Sequence, residues 1–369
     1  MANSYRPANR DGFGVAIICA LTVETNAVEA FFSEVWSGDD SYGKIENDSN
    51  IYKTGRIGKL PVVLVQLPNI GSIAAANVAT SLHISFPRIK LCLVVGICGG
   101  APNNGQKEIL LGDVIMSGAL IDYANGRQYS DHMIRRTELE DILPRPSIAI
   151  RNFLKQYAGM GMRDLVDDTC VQLDQLLSKS GFEGSKYPGP NEDKLFHSTY
   201  RHKHHTGSGS NPPDCEVCSK CQDWHHPVCE IATQSDCSVL RCEDSMLITR
   251  TRLEKIKNII ATQPPPTSML EAIKIYRPEI HIGRVASANL VMKSSYHRDR
   301  LAERDKAIAF EMEGPGVWEI FPTIIIKAVF NYADSHKNKV WQPYAAAVAA
   351  SCMSAVLKEW ESAHREQRR

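Results

Sequence analysis

Leu91-Cys-Leu-Val-Val-Gly-Ile-Cys-Gly-Gly100 decides the fold. Residues 91–95 are continuously apolar, without the polar alternation of a half-buried strand, and so read as a strand buried on both faces. The glycine-rich 96–100 ends it where a ligand or another backbone can approach closely. A strand buried on both sides needs helices above and below it.

Working outward, the same pattern repeats. Val15-Ala-Ile-Ile-Cys-Ala20 is a second short apolar run, followed by helix-like spacing over 24–32. Residues 51–55 and 61–66 flank Arg56-Ile-Gly-Lys59 as hairpin arms flank their turn. Gly71 marks a loop-to-helix junction before a small-residue helix running to Leu82. Residues 113–117, 281–287, 307–313 and 323–329 read as further strands, and a helix closes the pattern at about 341–360. Strands alternating with helices give an α/β fold of three α/β/α layers around a twisted mixed sheet, as one domain over 14–365. No 20–50-residue period recurs, which excludes a repeat architecture.

The composition is that of a globular chain. Of 369 residues 43% are hydrophobic and 23% charged, with 42 basic and 42 acidic side chains. A zero formal charge gives no field to attract nucleic acid or an anionic membrane, so neither is expected as a partner. Residues 1–13 are polar with arginines at 6 and 10, unlike a secretion signal, and the apolar runs are too short to span a bilayer. A cytoplasmic location is the expectation. Cys19, Cys92, Cys98, Cys170 and Cys352 are scattered through strand-like or helix-like settings, as reduced core thiols are.

Residues 186–278 break the pattern. Within 197–242 stand six histidines and six cysteines, with Gly-Ser-Gly-Ser-Asn-Pro-Pro at 207–213, the composition of an irregular insertion with a mobile part at 207–210. Cys215, Cys218, Cys221 and Cys229 have the local density of a structural zinc site, with His225 and His226 between them. Reduced surface thiols and a loop disulfide are the competing readings.

In open α/β sheets ligands bind beyond the carboxyl ends of the strands. Four positions meet that rule: Glu24, residues 96–100, Glu311-Met-Glu313 and Asn331-Tyr-Ala-Asp334. Glu24 alone could be a first-turn helix charge. Glu311 and Glu313, two apart on a strand, would share one side and repel unless a cation or a hydroxyl-rich ligand lay between them; a solvated strand end is the alternative. Residues 96–100 could cradle an anion, yet match neither dinucleotide-fold nor P-loop spacing.

Taken in order, Cys19-Ala-Leu-Thr-Val-Glu24, Val95-Gly-Ile-Cys-Gly-Gly-Ala-Pro102, Ala286-Ser-Ala-Asn289, Phe310-Glu-Met-Glu313 and Tyr332-Ala-Asp-Ser-His-Lys-Asn-Lys339 resemble the nucleoside phosphorylase and nucleosidase superfamily, the purine nucleoside phosphorylase and uridine phosphorylase group. The chain looks most like the fungal nucleoside phosphorylase-like domains, over about 15–66, 70–122 and 281–357. The resemblance implies a nucleoside phosphorylase-like fold that cleaves N-glycosidic bonds through a ribosyl cation-like transition state. It implies that Glu313 accepts the ribose hydroxyls, that Met312 packs on the sugar and that Val291 and Met292 lie along the base. It gives Glu24 the role of positioning the attacking water, and adds Ile97, Cys98, Gly99, Glu311 and Lys327 as substrate-binding residues.

Three departures from the family pattern bear on the reaction. The phosphorylase loop after the first strand is replaced by Ala20-Leu-Thr-Val-Glu24, and the second phosphate arginine position is Val94, so both phosphate arginines are missing. Hydrolysis is therefore expected over phosphorolysis. Asn331 stands where the family usually keeps an aspartate that protonates the purine N7, and an amide donates a hydrogen bond but transfers no proton. Lys327 replaces an arginine and Phe330 a smaller residue. The expected activity is that of a purine nucleoside N-ribohydrolase needing no catalytic cofactor; a phosphate-dependent phosphorylase and a catalytically attenuated nucleoside-sensing module are the alternatives. Relatives form dimers, trimers or hexamers, which implies a homo-oligomer.

Overall fold

Burial follows the apolar runs, and it is total where the sheet is deepest. A computed structural model describes residues 6–37, 42–130, 133–205, 215–336 and 338–364. All five residues of β1 (Val15–Cys19) and all ten of β5 (Leu91–Gly100) are buried. The remaining strands are β2 (Glu34–Trp36), β3 (Tyr52–Ile57), β4 (Leu60–Gln66), β6 (Val114–Asp122), the small separate hairpin of β7 (Gly126–Gln128) and β8 (Met133–Arg135), β9 (Ile280–Ser287), β10 (Ala307–Glu311) and β11 (Thr323–Asn331).

Nine strands form one mixed sheet in the order β10-β9-β6-β11-β5-β1-β4-β3-β2. β1, β4, β5 and β11 run parallel, while β6 is antiparallel to β11. One further pairing closes part of the sheet on itself: Ala309 and Phe310 of β10 pair with Gly100 and Gly99 of β5. The same glycines leave room for the β11 side, where a Cβ on Gly100 would meet Val329 Cγ1 at 2.6 Å and one on Gly99 would meet Ala333 Cβ at 2.9 Å. The strand read as ending at Val95 therefore continues through the glycines.

Helices Thr22–Glu29, Met160–Leu177 and Gln342–His364 pack together on one side of the central strands, and Ser72–Ser85 with Gly314–Trp318 on the other. The three-layer α/β/α architecture holds. Two elements differ from the sequence reading. The β3–β4 turn is only Gly58-Lys59, tightened by a glycine at φ +58°, and β10 stops at Glu311, after which Glu313 is helical.

The weakly patterned middle contains regular structure. Helices Ile148–Lys155 and Met160–Leu177 precede the insertion, and Thr251–Thr262 and Met269–Ile275 lie within its span. The insertion is tied to the sheet by buried polar groups. Arg250 donates to the carbonyls of Pro102 (2.6 Å) and Ile109 (2.8 Å) and to the Tyr332 hydroxyl (3.2 Å). The Tyr332 hydroxyl in turn donates to Asp193 (2.7 Å), which also accepts the Leu111 N–H (3.0 Å). The segment 207–210 lies outside the described residues. Among the described residues no helix is long and apolar enough to cross a membrane.

Candidate active site

The carboxyl ends of β1, β5, β10 and β11 open into a cavity of ≈ 780 Å³. Glu24, Ile97, Cys98, Gly99, Val291, Met292, Glu311, Met312, Glu313, Lys327 and Asn331 all line it. Residues up to 307 positions apart in sequence, Glu24 and Asn331, thus share one wall system because parallel strands bring their ends together.

Glu24 is buried and held by backbone donors. Its Oε2 accepts the N–H groups of Ala20 (2.9 Å) and Leu21 (2.8 Å), capping its own helix, and Oε1 accepts that of Ile97 (2.8 Å) at the end of β5. Glu24 thus both caps its own helix and lines the cavity. Three of about four acceptor positions of a carboxylate are used, leaving one toward the cavity. Burial raises its pKa, Lys327 opposes that and Glu313 adds to it.

Glu311 and Glu313 do not share one side of a strand. Glu311 turns back to accept the N–H groups of Glu313 (2.9 Å) and Gly314 (3.0 Å), while Glu313, beyond the strand end, accepts the Lys327 ammonium at 2.8 Å and the Gly71 N–H at 3.3 Å. Each carboxylate has its own hydrogen-bond donors, and the Lys327 charge acts on both. Burial and the Glu313 charge push the Glu311 pKa up. Burial acts the same way on Glu313, but the Lys327 contact wins and holds that carboxyl below its usual range. Lys327 is fully buried and its pKa is raised by the surrounding carboxylates against its own desolvation. Burial pushes the Cys98 thiol well above its ordinary value, which favours the neutral thiol.

Asn331 is buried, and its Oδ1 accepts the Ala333 N–H at 2.7 Å. Only an oxygen can accept that proton, so the amide orientation is determined and its NH₂ is a donor. Ala333 itself is left-handed, at φ +53°, and lines the cavity. Arg298 braces this loop through the Tyr332 carbonyl (2.8 Å) and Asp334 (3.5 Å).

No family model matches the chain. It is 27% identical over 351 residues to a nucleotide-binding leucine-rich repeat (NLR)-like protein of Hyaloscypha variabilis, a match covering 94% of this chain and 29% of that protein. The chain thus spans less than a third of that relative's length. Among solved structures it is similar to futalosine hydrolase of Helicobacter pylori, at TM-score 0.52 and 13% identity, over 94% of this chain and 98% of that one. It is equally similar to the 5'-methylthioadenosine/S-adenosylhomocysteine nucleosidase of the same organism, at TM-score 0.52 and 12% identity over 94% and 99%. The fold is that of these nucleosidases.

One wall of the cavity was missed from the sequence. Thr233, Gln234, Ser235 and Asp236, from the Cys/His-rich insertion, line it opposite the sheet. Nothing in their composition signals this; only the tertiary path brings them there. The thiols also assort differently from the reading of four cysteines. Cys215, Cys218 and Cys229 gather with His204, whereas Cys221 points away, its Sγ toward the carbonyls of Asp223 (3.9 Å) and His226 (3.7 Å). Sequence spacing favoured Cys221, but it is the C-cap residue of the five-residue helix Glu216–Lys220, where the backbone has turned extended. A second group joins His202, Cys237 and Cys242 to His336 of the loop after β11.

Proposed function

We propose that this chain is a purine nucleoside N-ribohydrolase, releasing free base and ribose. The observation that carries the reading is the position of Glu24. Its carboxylate takes the backbone N–H groups of Ala20, Leu21 and Ile97, donors that would otherwise bind an external anion at this end of the sheet. Phosphate would meet a carboxylate in its place, whereas a water can use the remaining acceptor and be aimed at an anomeric carbon. Glu313, kept ionised by Lys327, is suited to accept ribose hydroxyls, and charge building on the sugar in the transition state is stabilised by the surrounding carboxylates. Met312 packs the sugar, Val291 and Met292 flank the base, and Asn331 donates to it.

A second reading rests on Asn331. An amide in place of the acid favours binding over turnover, and the NLR-like relative fits a nucleoside-sensing module within a longer protein. A solved Helicobacter pylori nucleosidase carrying an aspartate-to-asparagine mutation has 5'-methylthioadenosine in its active site. A homo-oligomer in the cytoplasm completes the proposal; Ile70, Leu290 and Val291 are exposed apolar groups at the cavity.

The test is incubation with adenosine, inosine, guanosine and 5'-methylthioadenosine, with and without phosphate, and identification of the sugar released. Free ribose or its 5'-methylthio derivative, formed without phosphate, is the expected product. Ribose 1-phosphate formed only with phosphate would overturn the hydrolase, and binding without cleavage of any of the four would favour the sensing module.

A further inference from the structure

Seven donor side chains of the insertion and His336 of the loop after β11 form two sets of four, and within each set all donor atoms lie within 4.8 Å of one another. One set is His204, Cys215, Cys218 and Cys229; the other is His202, Cys237, Cys242 and His336. His204 Nδ1 stands 3.5 Å from the sulfurs of both Cys218 and Cys229, and His336 Nδ1 stands 3.5 Å from that of Cys237. Ligands on a tetrahedral zinc, with Zn–S of about 2.3 Å and Zn–N of about 2.0–2.1 Å, are separated by about 3.5 Å. The donor sets have the spacing of an ion's coordination shell.

Two further features point the same way. His336 Nε2 lies 3.2 Å from the Tyr200 carbonyl, which can only accept, so the proton sits on Nε2 and the Nδ1 lone pair faces the thiols. His202 is buried, and its Nδ1 has no hydrogen-bond partner. The apolar core here is too small to order the region, comprising buried Cys218, Ala232 and Leu240 with a few partly buried neighbours, and the helices are four or five residues long. Such a segment needs a staple.

We propose that the insertion carries two structural zinc ions, one on His204, Cys215, Cys218 and Cys229 and one on His202, Cys237, Cys242 and His336, which together clamp a wall of the nucleoside cavity. The wall segment Thr233, Gln234, Ser235 and Asp236 runs between Cys229 of the first site and Cys237 of the second, so both of its ends are anchored by metal. The second site also ties the insertion to the loop that follows Asn331, because His336 belongs to that loop. The ions shape the pocket without touching the reacting atoms.

The experiment is metal analysis of the intact chain, purified under reducing conditions without chelator. Two equivalents of zinc are expected, and replacement by Co(II) should give the visible absorption of tetrahedral thiolate sites. Cys215→Ala/Cys218→Ala and Cys237→Ala/Cys242→Ala should each retain one equivalent and show faster amide exchange over 229–242. The cobalt spectrum of the unmodified chain keeps the test decisive where a double variant fails to fold. Zinc at buffer level with no cobalt spectrum, a single equivalent in the unmodified chain, or a Cys237–Cys242 disulfide in the unreduced protein would overturn the proposal. The count needs no nucleoside, so failure of the glycosidase assay bears on the proposed activity alone.

Discussion

A Cβ built on Gly96 would lie 2.0 Å from Glu24 Oε1, so the central strand and the first helix meet in a volume that only a glycine leaves free. The contact explains the glycine at the point where β5 turns from pure core into cavity wall. Gly96→Ala must expel the Glu24 carboxylate from its three backbone donors. Overpacking of this kind costs about 1–3 kcal/mol, to be read in urea unfolding, and nucleoside cleavage should fall with it. Unchanged stability together with unchanged cleavage would mean that the carboxylate has another resting place.

In the proposed hydrolysis Glu24 orients the water only when ionised. Its pKa is raised by burial, so in the folded state the proton is held above the ordinary glutamate value of about 4.3. The sign follows: cleavage should rise with pH through an apparent pKa above that value, and ionisation at higher pH works against folding stability instead of for it. Glu24→Gln should remove the rise and cost about 10²–10⁴-fold in kcat. A pH profile of kcat/KM for both proteins checks this, and an acid limb surviving in the variant would assign the proton elsewhere.

Arg252 pairs with both oxygens of Asp113, which also lies 3.1 Å from His281 Nε2. Burial alone would raise the Asp113 pKa, but Arg252 and His281 overcome it and hold the carboxyl well below its usual range. A depressed acid stabilises the fold above its unfolded pKa of about 3.9, and that contribution fades as pH falls through the folded value. Arg252→Met strands a buried charge and should cost about 3–5 kcal/mol at neutral pH. The difference from the unmodified chain should shrink below about pH 4 as Asp113 protonates, measurable by denaturant titration at several pH values.

What the sequence made legible was whatever depends on local pattern or on strand ends. Apolar runs placed β1, β4, β5 and β11, because strands buried on both faces carry that signature whatever they pair with. The positions following them marked Glu24, Glu313 and Asn331, which do line one cavity. Closure of β10 onto β5 left no local trace, since it joins two segments far apart in the chain. Glu311 and Glu313 were read with strand alternation, but the chain leaves the strand between them, so the predicted repulsion became two separate bonding roles. In Met160–Leu177 the buried positions Leu165, Thr169, Leu173 and Leu176 are spaced as on a helix face but diluted by aspartates, which hid the helix. His204 and His336 could not be paired with their cysteines by spacing, because each comes from a different segment of the chain.

If the chain cleaves nucleosides as proposed, Asn331 is the position expected to limit turnover. Its Oδ1 is fixed by the Ala333 N–H, so its NH₂ can hydrogen-bond a purine nitrogen but leaves the departing base without a proton. Asn331→Asp keeps one oxygen on Ala333 and brings the other to the place of the NH₂, with almost no change in volume. The new carboxyl would be buried in the cavity wall that Glu24, Glu311 and Lys327 also line, and desolvation raises a carboxyl pKa, which favours its protonated form and lets it act as an acid. General-acid help is commonly worth about 10²–10⁴-fold, so kcat should rise by that order, with KM little changed and a new loss of activity at high pH. Steady-state kinetics on adenosine and inosine, beside equilibrium binding of the same nucleosides, separates the cases. An unchanged kcat with intact binding would place the limitation outside position 331 and favour a pocket built to hold a nucleoside rather than to cut it.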